Sequence, residues 1–169
     1  MGRIEGLEVY TRLGVRPVIN AQGNRTVLGG SIPGMEVEAA MNQAGGSYVK
    51  MQDLLDRSGE FIAELLDVEA AYVTSGCAAA LALGTAACMA GNVPGKIAQL
   101  PDTTGLKSDV LIQKAHRYSY DRSYTVPGGN LIEVGTEDQC TPEEFEAAIG
   151  SNTAAVAFLI RPDDDDSTI

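Results

Sequence analysis

Tyr72-Val73-Thr74-Ser75-Gly76-Cys77-Ala78-Ala79-Ala80 is a short β-prone run that turns through hydroxyls and a glycine into a string of small residues. Tyrosine, valine and threonine side by side favour an extended strand, so Ala70 to Thr74 reads as a short buried strand. Cys77 to Ala90, closed by Gly91, reads as a helix thin enough to lie close to its neighbours. The same alternation continues downstream. Val110 to Lys114 is a second strand and Asn130 to Val134 a third. Pro142 to Ile149 is a short helix entered through Thr141, a capping residue with proline at the first helical position. Ala154 to Ile160 is a fourth strand, apolar throughout and expected to be covered on both faces. Strands separated by helices predict a mostly parallel sheet in an α/β layer fold.

Upstream, Gly14, Pro17, Gly23, Gly29, Gly30, Pro33 and Gly34 punctuate Leu13 to Met35 too densely for a long regular element. From Ser47 the pattern changes. Met51, Leu55, Ile62 and Leu66 recur at helical spacing with charges opposite, which predicts an amphipathic helix ending near Asp67. The expected organisation is an irregular arm over 1–46, a partial α/β domain over 47–160 and an acidic tail over 161–169. No internal repeat is visible.

With 169 residues, 44% hydrophobic and 21% charged, the chain has the make-up of a globular domain. Twenty-three acidic residues against 12 basic give a net charge of -11. The run Asp163 to Asp166 accounts for four of those charges and leaves -7 on the body. Such a surface repels phosphate backbones and disfavours nucleic acid as a partner. The Asp run reads as solvated tail, since consecutive aspartates bring no preorganised metal geometry. Cys77, Cys88 and Cys140 lie 11 and 52 positions apart, which fits no metal knuckle or disulfide framework and suits a reducing, cytoplasmic setting. Met1 to Tyr10 has no apolar signal core, and the apolar stretch Ala78 to Ala90 is too short for a bilayer.

Chemistry concentrates at two places. A helix start offers unpaired amides and the positive end of a dipole, so the Ser75-Gly76-Cys77 turn suits a phosphate, with Thr74 and Ser75 as added donors. It also reads as an ordinary helix cap. His116, the single histidine, follows a strand on the side of the sheet where ligands collect in open α/β folds. It could act as acid or base, stack on a planar ligand, or be a satisfied surface residue. Arg117, Asp121 and Arg122 read equally as solvated charges or substrate contacts. Cys77 reads as a small packing residue more readily than as a reactive thiol.

Several motifs agree in order with one family. Arg16-Pro17-Val18-Ile19-Asn20-Ala21, Tyr72 to Ala80, Leu100-Pro101-Asp102-Thr103-Thr104-Gly105-Leu106, Val110 to Arg117 and Tyr120-Asp121-Arg122 together resemble the selenocysteine-synthase-like family. These are pyridoxal-phosphate enzymes of the aspartate-aminotransferase fold type, including L-seryl-tRNA selenium transferases and the D-glucosaminate-6-phosphate ammonia-lyase type. The resemblance runs from about Leu13 to Ile160. It implies an incomplete three-layer α/β sandwich, the amino-terminal portion of that fold. It also implies that Ser75, Gly76 and Cys77 hold the cofactor's phosphate and that His116 stacks on its ring. Arg25 and Thr26, in the Gly23 to Gly30 arm, become substrate contacts near a partner subunit of a homo-oligomer.

The family's members are well over twice this long, and their Schiff-base lysine lies beyond the matching part. None of Lys50, Lys96, Lys107 and Lys114 sits in the glycine-rich context that the family uses for it. Two functions follow. The chain is the amino-terminal part of a pyridoxal-phosphate lyase or transferase for an amino acid or phosphorylated amino sugar, or it is a non-catalytic small phosphate-ligand-binding or partner module. In this fold type the strand before the phosphate-binding helix joins the next three strands only through later ones. Ala70 to Thr74 is therefore expected to lack its neighbours here.

Overall fold

The computed structural model describes residues 7–160, so the acidic run Asp163 to Asp166 and the 161–169 tail lie outside the described residues. The chain divides into two compact units, Met1–Leu54 and Leu55–Ile169. The first carries helix α1 (Leu7–Arg12), a 3-10 turn at Thr26–Leu28 and helix α2 (Met35–Ala44), and none of its described residues is buried. The glycine-rich stretch is held by its own polar groups. Asn20 donates to the Gly23 carbonyl at 2.7 Å, Ser31 donates to the Asn24 side chain at 2.7 Å, and Arg25 bridges antiparallel to Gly30.

Helix α3 (Met51–Leu66) ends where the sequence predicts, one residue before Asp67. The second unit continues with α4 (Cys77–Ala90), α5 (Pro94–Gln99), β1 (Asp109–Gln113), α6 (Arg122–Thr125), β2 (Asn130–Val134), α7 (Pro142–Ala148) and β3 (Thr153–Ala157). The three strands form one all-parallel sheet in the order β2-β1-β3, with Leu111 opposite both Ile132 and Val156 in register. β1 is central and its period of two splits the core. Val110 and Ile112 pack with Tyr124, Ala157 and the α4 residue Leu81 on one face. Leu111 packs with Val134, Cys140 and the α7 residue Phe145 on the other. The result is helix, sheet, helix: a partial three-layer α/β fold.

α7 begins as the sequence implies. Thr141 accepts from the Glu144 amide at 3.2 Å, and Glu144 accepts from the Thr141 amide at 2.9 Å, a reciprocal capping box behind Pro142.

Two expected strands are corrected. Ala70 to Thr74 belongs to no strand or ladder, because no strand of this sheet flanks it. It is instead approached by α3, close enough that a Cβ on Gly59 would stand 2.4 Å from the Ala71 carbonyl oxygen. The fourth predicted strand is shorter than Ala154 to Ile160 and lies at the sheet edge. Its Val156 is 52% exposed rather than covered on both faces, since α7 packs over β2 on that side.

Candidate cofactor-binding site

Gly76 caps α4 at φ +147 and ψ 173, a conformation that L side chains rarely adopt, and as a glycine it offers the helix amides no side-chain cap. Nothing lies within 4 Å of where its Cβ would be. The first intrahelical bond runs from the Ala80 amide to the Gly76 carbonyl at 3.0 Å, so the amides ahead of it have no carbonyl within the helix. Thr74 is committed locally: its hydroxyl donates to the Gly76 carbonyl at 3.0 Å. Ser75 and Cys77 are exposed. The turn is thus open, positive in potential and lined by backbone donors, which fits a phosphate group.

His116 ends a 3-10 turn, Lys114–His116, directly after β1. It is buried, 3% exposed, which excludes the surface reading. Its Nδ1 has no hydrogen-bond partner among the described residues, so it is not a satisfied core histidine either. Its ring meets Phe158 edge-on, with centroids 4.7 Å apart and planes at 85°.

Two tyrosines missed by sequence reasoning connect these places. The Tyr118 and Tyr124 hydroxyls share a hydrogen bond at 3.5 Å, and Tyr118 is two residues past His116. Tyr124 is buried on α6 and α6 packs on α4. Burial, then the Tyr118 hydrogen bond and the charges of Tyr118, Cys77 and Asp121, push the Tyr124 hydroxyl well above its ordinary value of 10.0. The α4 turn and the end of β1 therefore face one neighbourhood. Only the alternating bulk of Tyr118, Tyr120 and Tyr124 in a polar stretch hinted at this.

Arg117 and Asp121 are not free solvated charges. Asp121 is buried, and the Arg117 guanidinium donates to both Asp121 and Glu133, which raises its own pKa. This pairing anchors the turn that carries Tyr118. Arg122 is exposed. Arg25 and Thr26 are exposed and lie in the other unit, Met1–Leu54. Cys77 and Cys88 are exposed free thiols, Cys140 a buried one whose pKa burial pushes up. No group of metal-ligating side chains occurs among the described residues, and no helix among them is long and apolar enough to cross a membrane. An open apolar groove of about 390 Å³ runs along the flank of α4, lined by Tyr72, Thr74, Ala80, Leu83, Gly84 and Ala87. It reaches the helix start at Thr74, and its lining holds no charged group.

The Tyr124 and Cys140 shifts fix a sign. Both groups stay neutral in the fold past the pH at which the unfolded chain ionises, so the unfolded state binds fewer protons there. Their contribution is fully present below the ordinary values of 10.0 and 9.0 and is lost as pH rises through the higher folded values. In an ultraviolet titration, Tyr124 is expected to ionise later than a free tyrosine, because burial holds its hydroxyl protonated. Tyr124→Phe should remove that late-titrating tyrosine; its persistence would contradict the burial.

No protein-family model matches the chain. Individual proteins do. D-glucosaminate-6-phosphate ammonia lyase of Salmonella typhimurium is 31% identical over 155 residues, which is 89% of this chain and 42% of the lyase. A 5'-C-glycyluridine monooxygenase-decarboxylase of Streptomyces sp. is 34% identical over 155 residues, 89% of this chain and 39% of that protein. L-seryl-tRNA(Sec) selenium transferase of Moorella thermoacetica is 27% identical over 160 residues, 85% of this chain and 31% of the transferase. A solved structure of D-glucosaminate-6-phosphate ammonia-lyase superposes with a TM-score of 0.84 at 31% identity, covering 88% of this chain and 41% of the lyase. The chain spans about two fifths or less of the length of these relatives. The chain is a homologue in sequence of part of the lyase and of part of the transferase, and its fold follows that part of the lyase, consistent with the amino-terminal part of a pyridoxal-phosphate-type family.

Proposed function

We propose that the chain is the amino-terminal portion of a pyridoxal-phosphate-dependent lyase or transferase acting on an amino acid or a phosphorylated amino sugar. It supplies the phosphate end of the cofactor site and lacks the lysine that would hold the cofactor covalently. The observation that carries this is the open turn at Ser75, Gly76 and Cys77, on a backbone that follows the lyase at a TM-score of 0.84. Bound there, pyridoxal phosphate supplies an electron sink for a carbanion next to nitrogen. The residues of this chain bind and orient. The α4 amides and the Ser75 hydroxyl hold phosphate oxygens, His116 lies at the ring end, and Arg25 and Thr26 contact substrate near a partner subunit of a homo-oligomer. The fit is good at the phosphate end, whereas the ring end is closed by Phe158. Free thiols at all three cysteines support a reducing, cytoplasmic location.

The cofactor's absorbance reports binding. Weak, saturable binding that inorganic phosphate competes away is expected. Ser75→Ala should weaken it about tenfold, the usual worth of one hydrogen bond to a charged group. Binding indifferent to phosphate and to Ser75 would remove the assignment.

A small substrate is favoured over tRNA. Of the basic residues, Arg57 pairs with Glu60 at 2.7 Å, Lys114 with Glu137 at 3.5 Å, and Arg117 with two carboxylates. With 23 acidic residues against 12 basic ones, the net charge of -11 repels a nucleic acid's phosphates. Filter binding at low salt should retain no tRNA; tight retention with a steep salt dependence would overturn the small-substrate reading.

A further inference from the structure

His116 combines two properties that rarely coexist. It is 3% exposed, and its Nδ1 finds no partner among the described residues. An imidazole nitrogen shut away from water without a hydrogen bond is destabilising, and packing alone would be served better by an apolar side chain. The contact that helps to close it is made by Phe158, whose ring stands edge-on at 4.7 Å. Phe158 follows the last residue of β3, Ala157, and belongs to no ladder. It is itself 42% exposed, so part of its ring already meets solvent. A polar ring is therefore sealed by an aromatic one that is itself only partly covered.

We propose that Phe158 is a displaceable lid over His116. It occupies the space that a planar ligand would take against the imidazole, and it swings outward when a phosphorylated heteroaromatic ligand anchors at the α4 turn. The ligand class rests on the cofactor reading above, while the lid itself rests on the His116–Phe158 geometry. The lid keeps the imidazole out of water when no ligand is present. Opening it subtracts from ligand affinity, because the closed state must first be left.

The single histidine makes a direct test possible. The full 169-residue chain, kept soluble by a fusion partner, is treated with diethyl pyrocarbonate, and carbethoxylation of His116 is followed by mass spectrometry. The wild-type chain should react slowly. Phe158→Ala should react about tenfold faster or more, as expected when a group no longer waits for local opening. Phe158→Leu, which keeps apolar cover without the ring, is made alongside, and variants are compared only where the far-UV spectrum matches the parent. An intermediate rate for Phe158→Leu would support the lid and serves if Phe158→Ala fails to fold. Pyridoxal phosphate should slow the reaction of Phe158→Ala again and bind it more tightly than wild type. An unchanged rate in both variants overturns the lid whatever the cofactor does. A faster rate that pyridoxal phosphate leaves untouched overturns the ligand assignment while the cover itself stands, so the two failures are distinguishable.

Discussion

The isolated 169-residue chain is expected to self-associate rather than to behave as a monomer with a sharp melting transition. The core of the second unit is sound but small, centred on Val110, Leu111 and Ile112. Around it, surfaces that belong inside an α/β layer face water. β3 is an edge strand with Val156 half-exposed, Ile160 is 80% exposed, and α4 leaves Leu83 open beside Tyr72. Ala80, Leu83, Gly84 and Ala87 fall at helical spacing on the uncovered flank of α4, which is the pattern of a buried face. In α3, Phe61 and Leu65 are exposed, and only Gly59 and Ala63 are buried. Each large apolar side chain left outside forgoes up to about 1.5–3 kcal/mol. Several of them together match a domain's whole stability of roughly 5–15 kcal/mol. The open β3 edge adds a template for pairing with another copy, its amides and carbonyls being solvated but unpaired. Light scattering with thermal unfolding checks this. Oligomers or aggregates with a broad transition are the expected result. A monomer with one sharp cooperative transition would mean that these faces are covered in some other way.

What could be read from the sequence depended on whether the deciding contacts were local. α4 was legible residue for residue, because Gly76 and Gly91 bracket a run of small helix formers. β2 was equally legible, and β1 differed by one residue. Thr141 and Pro142 announced α7 as cap and first helical residue, and the capping box that Glu144 completes in the structure lies wholly within four residues. Ala70 to Thr74 reads as a strand from its own residues, but a strand exists only when a neighbour pairs with it, and here none does, in keeping with the strand order that the resemblance implies. β3 was read as doubly covered from its apolar run, although its burial depends on what packs beside it. α2 escaped notice, since glycine and proline on its flanks obscured a weakly periodic stretch.

The candidate site divides in the same way. The α4 turn follows from Ser75, Gly76 and the helix behind them, so it was legible. The burial of His116, its unpaired nitrogen and the Tyr118–Tyr124 bridge are tertiary facts that join residues through α4, α6 and β1. Arg117 read as a solvated charge as readily as a substrate contact because one of its partners, Glu133, is 16 residues away on β2.

The proposed half of a cofactor site without its lysine is tested most directly by covalent trapping. The chain's own lysines are poor candidates for that role. Lys50, Lys96 and Lys107 are exposed and solvated, and Lys114 is paired with Glu137 at 3.5 Å. A lysine that bonds to the cofactor has to be held, desolvated, beside it. The chain is incubated with pyridoxal phosphate, reduced with borohydride and mapped by peptide mass. Substoichiometric labelling scattered over several lysines, unaffected by inorganic phosphate, is the expected result. A single stoichiometric adduct on Lys50, Lys96, Lys107 or Lys114, suppressed by phosphate, would show that this chain carries its own catalytic lysine and would contradict the account.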